Sequence, residues 1–384
     1  MNHDISIITT LSLIIFISPL ISNLIKIPIV PIEIFLGSVA VSSGFIYPNH
    51  IFEVVAELGF LYLMFLAGLE VDLKSLLKVS SDIFQKSFLY SIALYSFAFL
   101  FSWIFGLSKI FIVTLPLISI GLLATLKKEY GQQKWLELAF TVGLIGEIIS
   151  IVVLATVSAG LEYGISTQFY ESLFLLGVVF LVMIALYNIF HNLIWWYPEL
   201  KTYLMPKKSN QEQDIRFSMS IFFVMIAVML YLHLEVVLGA FIAGVFIRTF
   251  FEHNKELPSK LEHFGFGWLV PIFFISIGAS FELKSLFLPN LIEVSLLITF
   301  GMIFIRVISS LTFFSKSLGL KDSFLMALSH SMPLTLLIAV ATLALKHNSI
   351  SEFYYYAFIL SAIFEVIISM IVINIISKFN TIQH

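Results

Sequence analysis

Long apolar runs separated by short polar or Pro/Gly breaks set the pattern of this chain. About 20 predominantly apolar residues are needed to cross a bilayer as a helix. About thirteen runs approach that length, near 5–25, 31–47, 51–69, 86–106, 108–126, 135–160, 168–194, 217–232, 235–251, 264–280, 290–314, 322–345 and 353–377. They lack the period-2 alternation of strands, and in lipid a helix satisfies its own backbone. The pattern therefore predicts an all-α polytopic membrane protein with about 13 transmembrane helices. The first run follows Asp4 with no basic flank and is long for a signal-peptide core, so it is read as a retained helix.

Composition sharpens this. Hydrophobic residues make up 59% of the 384 and charged residues 12%, against roughly a quarter charged in soluble domains. Too few charges remain for a water-facing surface, so lipid is the solvent for most of the chain. Cysteine is absent, which excludes disulfides, thiolate metal sites and a cysteine nucleophile.

The basic residues orient the spans. With the N-terminus outside, 17 of the 21 Lys and Arg fall on the cytoplasmic side, Lys109, Lys284 and Lys346 fall outside, and Arg306 lies within a span. A cytoplasmic C-terminus and a bacterial-type cytoplasmic (inner) membrane follow. The longest polar connection, residues 201–216 (KTYLMPKKSNQEQDIR), is cytoplasmic. It reads as a linker between halves of about 1–200 and 215–384 within one transmembrane domain, the arrangement of inverted-repeat transporters.

Ionisable groups inside a bilayer are costly and mark function. Glu147 stands near the middle of the sixth span, where Gly143 and Gly146 leave room beside it for a backbone, an ion or water. A central carboxylate beside small residues suits a proton or cation site. The alternative is a packing glutamate held by a hydroxyl or an arginine. Arg306, mid-span in the eleventh run, cannot deprotonate and needs a carboxylate, carbonyls or water. Pairing with Glu147 is the economical expectation, and a fixed bridge to carbonyls at a helix break is the other. Glu365, central in the last span, is the rival carboxylate. His330 precedes Pro333 in the twelfth span. The proline removes a helix hydrogen bond and disturbs the preceding turn, and broken helices are where transporters bind ions; a structural role for the histidine is the plainer reading. Glu33, Glu70, Asp72 and Glu235 lie near span ends, where snorkelling or solvation explains them. His253, His263, Glu252, Glu256 and Glu262 share a cytoplasmic loop without metal-ligand spacing and read as solvated charge.

Several segments resemble the monovalent cation:proton antiporters of the sodium/hydrogen exchanger superfamily, nearest the potassium-efflux branch. Residues 57–73 (ELGFLYLMFLAGLEVDL) resemble the family's third-helix signature, 238–244 (LGAFIAG) its ninth-helix motif and 270–280 (VPIFFISIGAS) its tenth. Ile27-Pro28 and Gly37 fit the first turn and second helix, and the order is kept over essentially the whole chain. The resemblance implies thirteen helices, an outside N-terminus, a dimer, and scaffold and core domains built as inverted repeats. In the family, helix six carries an acidic pair or a polar residue plus aspartate; here the position reads Gly146-Glu147. Arg306 fits the basic residue of helix eleven. Helices five and twelve of the family are interrupted and cross. At the first break this chain keeps Ser119, with Gly121 and Thr125 nearby; at the second it has Ser329-His-Ser-Met-Pro333 in place of an acidic or arginine-containing motif. The nucleotide-binding regulatory domain that many potassium-efflux relatives carry is not expected after His384.

The expected function is Na+ or K+/proton exchange by alternating access, with Glu147 shared by proton and cation and Ser119, Thr125 and carbonyls near Pro333 as further oxygen ligands. One carboxylate implies one-for-one, electroneutral exchange. The alternatives are a non-transporting sensor or assembly partner on the same scaffold, and an organic solute/proton carrier. No nucleophile–base pair or metal set stands out, so an enzyme is not expected, and no cofactor is implied.

Overall fold

The computed structural model describes residues 2–25, 29–71, 79–120, 123, 126, 130–131, 133–164, 166–197, 199, 212–234, 236–251, 254, 256–280 and 288–381. Its regular elements are helical throughout: α1 (Asn2–Ile25), α2 (Ile29–Ser42), α3 (His50–Glu70), α4 (Ser81–Ile104), α5 (Ile110–Thr114), α6 (Lys134–Tyr163), α7 (Thr167–Trp196), α8 (Gln213–Tyr231), α9 (Val236–Phe250), α10 (Leu257–Phe264), α11 (Val270–Ser280), α12 (Leu291–Leu318), α13 (Leu320–His330), α14 (Leu334–Lys346) and α15 (Glu352–Thr381). Each apolar run of the sequence contains helix among the described residues. Eight helical stretches among the described residues are long and apolar enough to cross a membrane, and large apolar side chains such as Phe16, Trp103 and Phe300 lie on outer faces, as lipid contact demands.

Among the described residues two runs are interrupted and a third carries a π-helical turn. Helix α5 stops at Thr114 and the chain continues without helical structure through Ile120; a second break separates α13 from α14 at Ser331–Pro333. Helices α10 and α11 are joined by a π-helical turn over Gly265–Leu269. The close junction of the fourth and fifth runs is a turn in which Gly106 takes φ +63°, a left-handed conformation that glycine adopts without strain.

The chain divides into two compact units. One contains residues 1–74 and 163–285, the other 75–162 and 286–384. Each draws on both sides of the polar linker, whose residues 201–211 lie outside the described set. In the first unit the principal pairs are α3 with α9 and α2 with α11. These helices approach at backbone distance: a Cβ on Gly68 would strike the Phe241 carbonyl, and one on Gly244 the Phe65 carbonyl. Small residues at such crossings let backbones pack where lipid supplies no hydrophobic drive. An apolar cluster of Ile7, Ile14, Ala40, Phe52, Ile272 and Ile275 joins α1, α2, α3 and α11.

In the second unit α12 is central, packed on α4, α13 and α15. Hydroxyls link these helices: Ser361 Oγ donates to the Ser295 carbonyl at 2.9 Å, Thr299 Oγ1 to the Ser361 carbonyl at 3.3 Å, and Ser310 Oγ to the Ser323 carbonyl at 2.7 Å. Both long breaks belong to this unit.

Candidate functional site

A broken helix in a membrane exposes backbone groups with no water to satisfy them. In the 115–120 segment the partners are side chains from two long helices. Ser150 on α6 accepts from the Ile118 amide at 3.1 Å, while its own hydroxyl donates to the Gly146 carbonyl at 2.8 Å. Glu147 accepts from the Ser119 hydroxyl at 3.2 Å through one carboxylate oxygen and from the Ile120 amide at 3.4 Å through the other. The Arg306 guanidinium on α12 donates to the Leu117 carbonyl. The break is therefore tied by residues far away in sequence.

Glycine shapes the α6 side of this contact. A Cβ on Gly146 would come within 2.5 Å of Ile118 Cδ1, and one on Gly143 within 2.9 Å of Ile120 Cγ2 and 3.1 Å of His330 Nε2. The room that the sequence assigned to an ion or another backbone is taken by the side chains of the broken segment. Gly146 thus sets the distance at which Ser119 meets Glu147.

Glu147 is 1% exposed. Its carboxylate and the Ser119 hydroxyl supply hard oxygen donors of the type that Na+ and K+ accept. The Thr114 hydroxyl, fully buried where α5 ends, has no hydrogen-bond partner among the described residues. Sequence reading passed over Thr114 and Ser150; a hydroxyl at the start of a break and one a single residue past a turn from Gly146 were the available signals. Gly121 and Thr125 lie outside the described residues.

Arg306 requires a correction. Its carboxylate partner is Glu365 on α15, with Nη1–Oε1 at 3.2 Å, and both residues are 0% exposed. Nη1 also donates to the Met302 carbonyl at 2.7 Å. The ion pair shown is with Glu365, where the economical expectation was Glu147. The physical reason is the direction of α12: the face bearing Arg306 meets α15 and the near end of the broken segment, while Glu147 takes the segment's far end. The bridge to a carbonyl at a helix break, the other reading, describes the Leu117 contact. Glu365 stands as the counter-charge of Arg306.

The second break is held differently. His330, the last residue of α13, is fully buried; its Nε2 donates to the Ala139 carbonyl at 2.7 Å, which fixes the tautomer, and its Nδ1 accepts from the Tyr90 hydroxyl at 3.2 Å. Both ring nitrogens are satisfied, so the imidazole joins α4, α6 and α13. Ser331 Oγ donates to the Ala327 carbonyl at 3.0 Å, and Ser369 Oγ on α15 donates to the Ser331 carbonyl at 3.3 Å. Pro333 occupies the N-cap position of α14, its carbonyl accepting from the Leu337 amide at 2.8 Å.

Two acidic residues of the other unit are buried, Glu33 against its reading. Glu33 on α2 is 2% exposed and is neither snorkelling nor solvated. Asp214, at the edge of the polar linker, is 1% exposed and holds Lys260 Nζ at 3.0 Å and Asn254 Nδ2 at 3.2 Å. Asp72, Glu235, Glu252 and His253 lie outside the described residues.

The sequence profile described as "Sodium/hydrogen exchanger, transmembrane" matches residues 12–378. YjbQ of Bacillus subtilis (strain 168) is 26% identical over 361 residues, which cover 88% of this chain and 57% of YjbQ. The chain thus spans little more than half the length of that relative. The K(+)/H(+) antiporter subunit KhtU of the same organism is 27% identical, covering 74% of this chain and 72% of its own. The High-affinity Na(+)/H(+) antiporter NhaS3 of Synechocystis is 24% identical over 66% of this chain and 56% of its own. Among solved structures, the sodium proton antiporter MjNhaP1 from Methanocaldococcus jannaschii superposes with a TM-score of 0.68 at 18% identity, covering 97% of this chain and 99% of that one. The fold is shared along almost the whole length.

Proposed function

This chain belongs to the sodium/hydrogen exchanger transmembrane family, and from that membership we propose that it exchanges a monovalent cation, Na+ or K+, for protons, with Glu147 as the group both ions share. The observation that carries the reading is a carboxylate 1% exposed at a helix break, approached by the Ser119 hydroxyl and the Ile120 amide.

An ionised carboxylate in a dry interior needs a compensating charge. A cation or a proton supplies it, one at a time, so the site crosses the membrane loaded with either and not empty. One carboxylate carries one ion of either kind, and exchange is one-for-one and electroneutral. Ser119 and carbonyls of the broken segment complete the cation's oxygen shell. The site reaches the two faces in turn by alternating access. The named activities of KhtU and NhaS3 span K+ and Na+, and both ions belong in the assay. A homodimer in a cytoplasmic (inner) membrane, with the N-terminus outside and the C-terminus cytoplasmic, completes the proposal and accords with the lysine and arginine distribution.

In proteoliposomes carrying a trapped pH dye, Na+ or K+ pulses are expected to dequench the dye, and Glu147→Ala or Glu147→Gln to lower the exchange rate at least about 100-fold. Normal exchange in both variants contradicts the assignment. Wild-type protein that exchanges neither Na+, K+ nor Li+ would instead identify a sensor built on this scaffold.

A further inference from the structure

Three consecutive residues of the first break are tied to one stretch of α6. The Ile118 amide donates to Ser150 Oγ at 3.1 Å, the Ser119 hydroxyl to Glu147 Oε1 at 3.2 Å, and the Ile120 amide to Glu147 Oε2 at 3.4 Å. Ser119 is thus pinned on both sides, through Ile118 to Ser150 and through Ile120 to Glu147. Ser150 is itself anchored, since its hydroxyl donates to the Gly146 carbonyl at 2.8 Å. Glu147 and Ser150 stand three residues apart, one above the other on the helix surface.

The two flanking ties differ in kind. The Ile120 tie ends on the carboxylate proposed to meet the ion, so it changes with whatever that carboxylate holds. The Ser150 tie ends on a neutral hydroxyl and holds the segment whichever ion is bound. Moving Ser119 outward breaks the Ile118–Ser150 bond and strands a buried amide, which is costly in a dry interior. Moving it inward is opposed by packing, because Ile118 already fills the space beside Gly146, where a Cβ would meet its Cδ1 at 2.5 Å. Ile118, Ser119 and Ile120 are all buried.

This pin fixes the separation of Ser119 Oγ and Glu147 Oε1. Selectivity between cations of equal charge follows from the size and rigidity of the cavity their ligands form. A cation bound by both oxygens takes the place of the hydroxyl proton between them and must spread them apart. K+, the larger ion, must spread them further than Na+. An unpinned segment yields to either ion, whereas a pinned one yields to the larger only by losing the Ile118 tie.

We propose that Ser150 is a positioning residue that makes the site prefer Na+ to K+, by holding the Ser119 hydroxyl close to Glu147 through the Ile118 amide. This rests on the reading of Glu147 as the exchange site with Ser119 in the cation's shell. Loss of a merely structural serine would lower the amount of active protein and leave the ratio of the two KM values alone. Loss of the pin relaxes the ratio itself.

The test measures the apparent KM for NaCl and, separately, KCl in proteoliposomes holding wild type, Ser150→Ala, Ser150→Thr or Glu147→Gln. Wild type is expected to show a KM for KCl at least about tenfold above that for NaCl. Ser150→Ala should lower this ratio at least about threefold, and Ser150→Thr, which keeps the hydroxyl, should hold it within about threefold of wild type. A smaller wild-type preference, a preference for K+, or a Ser150→Ala ratio still within about threefold of wild type overturns the proposal. If Ser150→Ala does not fold, wild type and Ser150→Thr decide. A preference kept in both supports the proposal, and one lost in either overturns it. Glu147→Gln separates the two levels. Exchange surviving there refutes the underlying reading, whereas a dead Glu147→Gln with an unchanged ratio in Ser150→Ala refutes only the role of Ser150.

Discussion

The two breaks of the second unit solve one problem with different chemistry. At Ser331–Pro333 the interrupted backbone is tied by neutral groups: Ser331 back onto its own helix, Ser369 from α15, and a histidine satisfied at both nitrogens. At 115–120 the ties are a glutamate, an arginine and a serine from α6 and α12, with a second glutamate behind the arginine. Neutral ties hold a shape. Charged ties hold a shape and also select what can come near. The proposed function puts ion chemistry at the first break, and the contrast in ties is what supports that choice.

The largest expected effect comes from destroying the fit at the charged break. Gly146→Leu places side-chain atoms where Ile118 lies, since even a Cβ would meet Ile118 Cδ1 at 2.5 Å. Overpacking of this kind costs about 1–3 kcal/mol. Displacing the segment should lower exchange at least about 100-fold while the protein still elutes as a folded species, because misplacement by about an ångström suffices for such losses. Near-normal exchange in Gly146→Leu would show that the geometry of the break does not matter.

His330→Phe attacks the neutral break. It leaves the Tyr90 hydroxyl and the Ala139 carbonyl without their partner, at about 1–3 kcal/mol for each buried group. A lower thermal unfolding midpoint in detergent is expected, with the cation KM within about threefold of wild type. A large KM change with unchanged stability would move the chemistry to the second break and reverse the comparison. The smallest effect is expected for Ser119→Ala, which removes one hydroxyl from Glu147; a loss of about 1 kcal/mol corresponds to a cation KM raised roughly fivefold. An unchanged KM would remove Ser119 from the ion's shell.

The same contrast explains what the sequence could disclose. Apolar run length reports directly on crossing a bilayer, so the all-helical membrane fold was legible, and eight of the helical stretches among the described residues are long and apolar enough to cross. Glu147 between small residues and Arg306 inside a run were legible because lipid makes any charge conspicuous. The partner of Arg306 was not, because helix periodicity says which residues share a face and nothing about which helix that face meets; Arg306 and Glu365 lie 59 residues apart. His330 stood out by type, yet its bonds to Tyr90 and Ala139 depend on three helices converging. Glu33 was misread because nearness to the end of a run resembles solvent access, whereas packing of α2 against α1 and α11 decides its exposure. Asp214 carries no signal in the sequence, since its burial depends on ties to Asn254 and Lys260, 40 and 46 residues away. The interior of the first break, Gly121 and Thr125, lies outside the described residues.

A single carboxylate shared by proton and cation is the centre of the account, and competition tests it most directly. The measurement is the cation KM of the wild-type protein in proteoliposomes as pH is lowered through the range in which protons occupy the site. One shared site predicts that KM rises about tenfold for each pH unit while the maximal rate at saturating cation stays constant. A maximal rate that falls with pH at constant KM would contradict it, placing proton and cation on separate groups.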